Sequence, residues 1–177
     1  MTYNFDEYID RNQYLTVKWN TDFIGEYWGN PNALPMGIAD MDIKSPSAVI
    51  EQLIKRTEHG IFGYEFRPDR MYQAMASWYE DHYGWKIEQQ HIHASPSILS
   101  SISVLINLHS EKGDGVIIQP PVFDEFDNVI TSNKRKTVNN PLILQDGYYM
   151  MDFDDLKEKA AEPDTKIMIL CNPHNPV

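Results

Sequence analysis

Val116-Ile117-Ile118-Gln119-Pro120-Pro121-Val122-Phe123 reads as a strand, a break and the start of something helical. The run Val116–Gln119 is short and continuous rather than alternating, the pattern of a strand covered on both faces in a parallel sheet. Pro120-Pro121 stops it, because proline carries no amide hydrogen for a ladder. Phe123, Phe126, Val129 and Ile130 then recur at helical spacing. Moving toward the C-terminus, Lys134 to Val138 reads as a basic strand, more a solvated strand than a binding patch in a chain this acidic. Asp146-Gly147 is a turn signal between Pro141–Leu144 and Tyr148–Met150. Asp152-Phe153-Asp154-Asp155 opens a charged helix to about Glu162, and Ile167 to Leu170 is a last strand.

Moving toward the N-terminus, Ile98, Leu99, Ile102, Leu105 and Ile106 form the apolar face of a helix behind Ser95-Pro96-Ser97, ending by Gly113. Ile87 to Ala94 reads as a strand or extended lead-in. Asp69 to Tyr83 carries Tyr72, Met75, Trp78, Tyr79 and His82 along one stripe and stops at Gly84. An earlier helix is capped by Ser45 with Pro46 in its first turn, repeats Val49, Ile50, Leu53 and Ile54, and stops at Gly60. Before it, to about Pro35, the chain is aromatic and mixed with no clean period, and Leu34–Ala39 is a candidate strand. Helices alternating with short apolar strands predict an α/β fold: three layers, a mostly parallel sheet with helices on both faces, preceded by an N-terminal arm. The one boundary falls near residue 45.

The chain of 177 residues has the length of one domain and can bury a core. Its formal net charge of −11 argues against nucleic acid as a partner, since phosphate backbones need basic patches. A single cysteine, Cys171, excludes an internal disulfide and fits a reducing compartment. The start, Met1-Thr2-Tyr3-Asn4-Phe5-Asp6, lacks the basic and apolar regions of a secretory signal, and no uninterrupted apolar run would cross a bilayer. The expectation is a cytoplasmic protein with no membrane partner. The C-terminal Ile167–Val177 reads as a core strand running into a proline-rich turn, so the chain is expected to be a fragment.

Several stretches carry possible chemistry. Ser95-Pro96-Ser97-Ile98-Leu99-Ser100-Ser101 puts small hydroxyl residues before a helix, where free N–H groups and the dipole attract an anion; ordinary N-caps look the same. Phe123, just after a strand, can stack on a flat ring at the carboxyl end of a sheet, or be core. Cys171-Asn172-Pro173-His174-Asn175-Pro176 forms a stiff loop after the last strand, with an amide to offer; a Cys–His nucleophile pair is conceivable, though a lone cysteine is usually packing. His91 and His93 would share one face of a strand but lack a further ligand cluster, so no metal is expected. Asp40-Met41-Asp42 is similar to the DxD motif of glycosyltransferases, a short and common pattern.

Taken in order, Gly37-Ile38-Ala39-Asp40-Met41-Asp42, Phe62-Gly63-Tyr64, Ser95–Leu99, Gln119–Phe123 and Cys171–Pro176 resemble the successive signatures of the pyridoxal-phosphate (PLP) enzymes of fold type I, over essentially the whole chain. The A-D-M-D and F-G-Y elements are most similar to the cystathionine β-lyase (C–S lyase) branch. The resemblance implies that residues 1–45 are the arm and part of a small domain, and that residues 46–177 are the N-terminal part of a truncated PLP-binding large domain. It implies that the N–H groups of Ile98 and Leu99 bind the PLP phosphate, that Phe123 (often Tyr in the family) stacks on the pyridine, and that Asn175 donates to the cofactor's 3′-oxygen. Tyr64 would reach the partner subunit's phosphate in a homodimer, and Ile38, Ala39 and Asp40 would lie near a small amino-acid substrate. The family's glycine before the phosphate-binding pair is Ser97 here. The implied activity is α,β-elimination of cystathionine or related cysteine S-conjugates to thiol, pyruvate and ammonia. The Schiff-base lysine, the aspartate that holds the pyridinium nitrogen and the arginine that grips the substrate carboxylate lie further along in the family; none is matched here, so no catalytic residue is assigned and the chain alone is expected to be inactive. Alternatives are an aminotransferase, a non-catalytic remnant acting as an interaction module, and, more distantly, a glycosyltransferase.

Overall fold

The computed structural model describes residues 4–177, so Met1-Thr2-Tyr3 lie outside the described residues. The chain packs as two compact units, 1–66 and 67–177.

The second unit is built on the stretch read first. Strand β1 (Gly115–Ile118) lies between β2 (Lys136–Asn139) and β5 (Thr165–Met168), parallel to both, in the order β2-β1-β5. All four β1 residues are buried. Val116 and Ile118 face a cluster with Ile106, Phe126 and Ile130, contributed by helices α4 (Ile98–His109) and α5 (Glu125–Ser132). Ile117 points to the opposite face and is buried too, so both faces are covered as the unbroken apolar run requires. The connection from β1 to β2 runs one way along the sheet through α5, and the next, through α6 (Phe153–Ala161), returns past β1 to β5. Right-handed crossovers in both directions put α5 and α6 on opposite faces.

Between β2 and α6, β3 (Ile143–Gln145) and β4 (Tyr148–Met150) form an antiparallel hairpin. Asp146 and Gly147 both take positive φ, 51° and 85°, the geometry that Asp-Gly favours in a two-residue hairpin turn. Asp152 caps α6 by accepting from the amide of Asp155 at 3.0 Å. The last strand begins two residues earlier than its apolar run, at Thr165, and the Ile169 amide still donates to the Ile117 carbonyl at 2.9 Å.

Helix α3 (Asp69–Tyr83) ends at Gly84, φ 64°, as its stop signal predicts, but none of its residues is buried. Ile87–Ala94 is not a strand: a 3-10 turn at Gln89–His91 interrupts it, with the Glu88 amide donating to Nδ1 of His91 at 3.1 Å. The Lys134–Lys136 run is also not simply solvated. Arg135 is buried, and its guanidinium donates to Ser110 Oγ (3.0 Å), Asn107 Oδ1 (2.9 Å) and the carbonyls of Asn133 and Ser110. A cation at the carbonyl end of α4 is favoured by the helix dipole, which explains a buried arginine held by neutral oxygens.

The first unit contains α1 (Thr21–Trp28) and α2 (Ser47–His59). Asn20 caps α1 by accepting from the Phe23 amide at 2.8 Å. Helix α2 starts at Ser47 with Pro46 in the cap position, so Ser45 is not its cap, and its apolar face of Val49, Ile50, Leu53 and Ile54 is exposed. Leu34–Ala39 forms no strand; it is an irregular segment with Pro35 buried. Among the described residues no helix is long and apolar enough to cross a membrane.

Ile130 has no exposed surface and sits at the centre of the α4–α5–β1 cluster. Ile130→Ala is expected to lower the stability of the second unit by about 2–5 kcal/mol, read as a shift in the urea unfolding midpoint at unchanged m.

Candidate active site

In the second unit the parallel register brings the chain exits after β1 and β5 side by side. Beyond the last ladder bond, Nε2 of His174 lies 3.0 Å from the Pro121 carbonyl oxygen. A carbonyl only accepts, so this nitrogen carries the proton and ties the loop of residues 171–177 to the loop of residues 120–123. Leu99 at the start of α4, Phe123 after β1 and Cys171 after β5 all pack, partly buried, against the same apolar cluster.

The start of α4 is organised by serines. The Ser97 hydroxyl accepts from the Ser100 amide at 3.1 Å, and the Ser97 carbonyl accepts from the Ser101 amide at 3.1 Å. Ser95 Oγ donates to the Ser97 carbonyl at 2.8 Å and sits 2.6 Å from Ser101 Oγ. The hydroxyls therefore serve mainly one another and the cap. Ser97 has φ −160°, extended backbone open to any residue, so a serine at the family's glycine position carries no strain and adds a cap. Ile98 and Leu99 are the first two helical residues, and their amides have no partner among the described residues. Two N–H groups at the positive end of a helix suit a phosphate.

Phe123 is half-buried and meets Phe126 edge to face, ring centres 5.6 Å apart. One edge belongs to the core, so the two readings of this ring are not exclusive. Asn175 is exposed in a loop whose Asn172–Pro173 and Asn175–Pro176 bonds are cis. Cys171 Sγ reaches the Pro173 carbonyl at 3.5 Å, and His174 is engaged with Pro121, so the two do not form a nucleophile pair. By their chemistry the two unpartnered amides suit a phosphate and the Phe123 ring suits a planar partner, and Leu99 and Phe123 pack on one apolar cluster.

Gln119 entered the sequence reading only as part of the Gln119–Phe123 signature, with no role assigned. Its side chain is 1% exposed, its Nε2 donates to Oδ1 of the fully buried Asn140 at 3.2 Å, and its Oε1 has no partner. Asn140 in turn donates to the Asp152 carbonyl (3.0 Å) and Asp155 Oδ2 (2.7 Å). The Asn140 bond, then that of Lys159, holds the Asp155 carboxyl below its usual range. Gln119 borders an open pocket of about 610 Å³ together with Tyr148, Tyr149, Leu170, Asn172 and His174. Ile98, Leu99, Phe123 and Asn175 are not part of that wall. Only the polar residue at the end of an apolar strand could have pointed to it.

In the first unit, Asp40 and Asp42 are both engaged. Arg11 donates to Asp40 Oδ2 (2.5 Å), Asp42 Oδ1 (2.7 Å) and the Met41 carbonyl (3.1 Å). Lys18, 7% exposed, donates to Asp42 Oδ2 (2.8 Å) and the Asp40 carbonyl (2.7 Å), and Trp19 Nε1 to Asp42 Oδ1 (2.8 Å). These carboxylates neutralise internal cations, which is not the arrangement of a metal–nucleotide DxD motif. Among the described residues no His/Cys/Asp/Glu group could hold a metal ion. Ile38 is half-buried and Ala39 exposed. Tyr64 is fully exposed. Its flanks are held by Arg56, which lies 5.1 Å above the Phe62 ring and pairs with Glu65.

The class I and II aminotransferase family matches residues 32–177. The chain is 40% identical over 173 residues to cystathionine β-lyase PatB of Bacillus subtilis, covering 98% of this chain and 44% of that protein. It is 33% identical to protein MalY of Escherichia coli, covering 98% of this chain and 44% of that protein. The PLP-bound C–S lyase of Staphylococcus hominis superposes with a TM-score of 0.86 at 32% identity, over 98% of this chain and 43% of that one. The chain thus spans under half the length of these relatives.

The hydrogen bond from Lys18, then that from Trp19, lowers the Asp42 carboxyl from 3.8 to about 2. A depressed carboxylate stabilises the fold above its ordinary value and loses that contribution as the pH falls through the lowered one. The arm is therefore expected to loosen between about pH 4 and pH 2, seen as a shift of the Trp19 indole N–H resonance over that window that Asp42→Asn abolishes.

Proposed function

This chain belongs to the class I and II aminotransferase family, and from that premise we propose that it forms part of a PLP-dependent C–S β-lyase acting on cystathionine or a related cysteine S-conjugate. The observation that carries the reading is the pair of unpartnered amides on Ile98 and Leu99, at the start of a helix packed on the same cluster as Phe123. Similarity to PatB and to the S. hominis C–S lyase favours lyase chemistry.

In this reading the Ile98 and Leu99 amides grip the cofactor phosphate, where the helix dipole adds to two charge-assisted hydrogen bonds. Phe123 lies against the pyridine ring and keeps water from one face of it. Asn175 donates its side-chain amide to the 3′-oxygen. When bound, PLP acts as an electron sink for the bond electrons released at the substrate's α-carbon. Ile38, Ala39 and Asp40 orient the amino-acid substrate; the Asp40 carbonyl is already taken by Lys18, which leaves that role to other groups of the segment. Tyr64, exposed on its turn, reaches the phosphate of a partner subunit in a homodimer. No lysine here is assigned as the base: Lys134, Lys136 and Lys166 lie outside the motif context of the family's Schiff-base lysine, and Lys166 donates to the Pro163 carbonyl at 2.6 Å. Elimination with water yields a thiol, pyruvate and ammonia. A cytoplasmic location follows from this metabolic role.

The family match favours transamination as a second reading. Product analysis separates them: pyruvate and ammonia in equal amounts for the lyase, a keto acid without ammonia for the transferase. The purified chain with PLP and L-cystathionine is expected to release no more pyruvate than PLP alone; sustained release would overturn the assignment of the base outside these residues.

Ile98→Pro tests the phosphate contact directly. Proline suits the first helical position, and Ser97 already has the extended backbone that proline requires of its neighbour. The helix is retained and one donor is lost. Affinity for pyridoxamine 5′-phosphate, measured by titration calorimetry, is expected to fall by about 1.5–3 kcal/mol, roughly 10–150-fold, with binding of unphosphorylated pyridoxamine unchanged.

A further inference from the structure

We propose that Arg11 and Lys18 are positioning residues that lock Asp40-Met41-Asp42 onto the N-terminal arm and thereby hold Ile38 and Ala39 in the conformation that receives the amino-acid substrate, an inference that rests on reading Ile38–Asp40 as the substrate-facing segment.

Residues 34–42 lie in no helix or strand, so no regular ladder holds their backbone. Contacts at Gly37 and at residues 40–42 restrain their conformation. At the C-terminal end every one of three consecutive residues is gripped: Asp40 through its carboxylate by Arg11 and its carbonyl by Lys18, Met41 through its carbonyl by Arg11, and Asp42 by Arg11, Lys18 and Trp19. The Lys18 side chain is 9% exposed, and a cation so far out of water persists only where carboxylate and carbonyl oxygens replace its hydration. This sets it apart from an exposed surface pair, which restrains little. At the N-terminal end Gly37 lies flat against Trp28: a Cβ there would come within 2.6 Å of Cζ2 of the indole. Ile38 and Ala39 are thus suspended between an aromatic stop and a charged clamp. The clamping residues come from sequence positions 11, 18 and 19, and the chemistry they serve is at residues 38–40.

The test uses the full chain with Lys18→Met, Lys18→Arg and Gly37→Ala. Amide hydrogen exchange reports on residues 36–42, with Gly115–Ile118 as an internal reference. Binding is measured for two stable probes: phosphopyridoxyl-L-alanine, which carries an amino-acid moiety, and pyridoxamine 5′-phosphate, which does not. Lys18→Met is expected to speed exchange in residues 36–42 and, because only a fraction of the loosened segments then hold the binding conformation, to weaken phosphopyridoxyl-L-alanine about tenfold, with pyridoxamine 5′-phosphate unaffected. Lys18→Arg should restore most of both. Gly37→Ala, which leaves the ion pairs in place, should discriminate between the probes in the same way. Unchanged exchange in Lys18→Met would overturn the clamp and leave the substrate reading standing. Faster exchange with both affinities unchanged would overturn the reading of residues 38–40. Equal loss of both probes would show a general structural role and overturn the positioning assignment, and binding of neither probe by the unaltered chain would overturn the site reading and the proposal with it.

Discussion

Gly115–Ile118 is hydrogen-bonded along both edges and buried on both faces, and the second unit is arranged around that fact. A central parallel strand needs a neighbour on each side and a helix layer above and below. β2 and β5 satisfy the first need, while Ile106, Phe126 and Ile130 satisfy part of the second. Because β1 and β5 are parallel neighbours, their exits emerge at the same edge of the sheet. Because α4 packs its Ile106 on β1, the position of its first turn is set by the same cluster. The amides of Ile98 and Leu99, the ring of Phe123 and the loop after Cys171 owe their placement to one buried strand.

The first unit is governed by charge. A net charge of −11 makes carboxylates abundant and cations scarce, yet its buried cation, Lys18, and the neighbouring Arg11 converge on two aspartates two residues apart. Removing a cation from water is costly unless oxygens replace the water. That requirement orders an otherwise irregular segment. Arg135 in the second unit meets the same requirement differently, with the carbonyl end of α4 and neutral side chains in place of a carboxylate.

Helical periodicity located α2 and α3 with their glycine stops at Gly60 and Gly84. It did not say what would cover them. Val49, Leu53 and Trp78 lie on apolar stripes and are exposed, because a period of 3.6 residues identifies which face is apolar and carries no information on the surface it meets. The same limit explains Ile87–Ala94. Its sequence gives no sign of a pairing partner, and with no neighbouring strand to bond to, the backbone turns on itself at Gln89–His91.

From the sequence alone came the α/β class, the central strand, the Asp-Gly hairpin, the helix start at Ser97 and the motif order that marks the family. All of these are local or periodic: a break, a cap, a turn or a buried run is encoded within a few residues of itself. Only the tertiary structure paired Arg11 and Lys18 with Asp40 and Asp42, buried Arg135 against α4, brought His174 to Pro121 and joined Gln119 to Asn140. These partners are separated by 21 to 53 residues, and a charge or an amide gives no local sign of which distant group will replace its water.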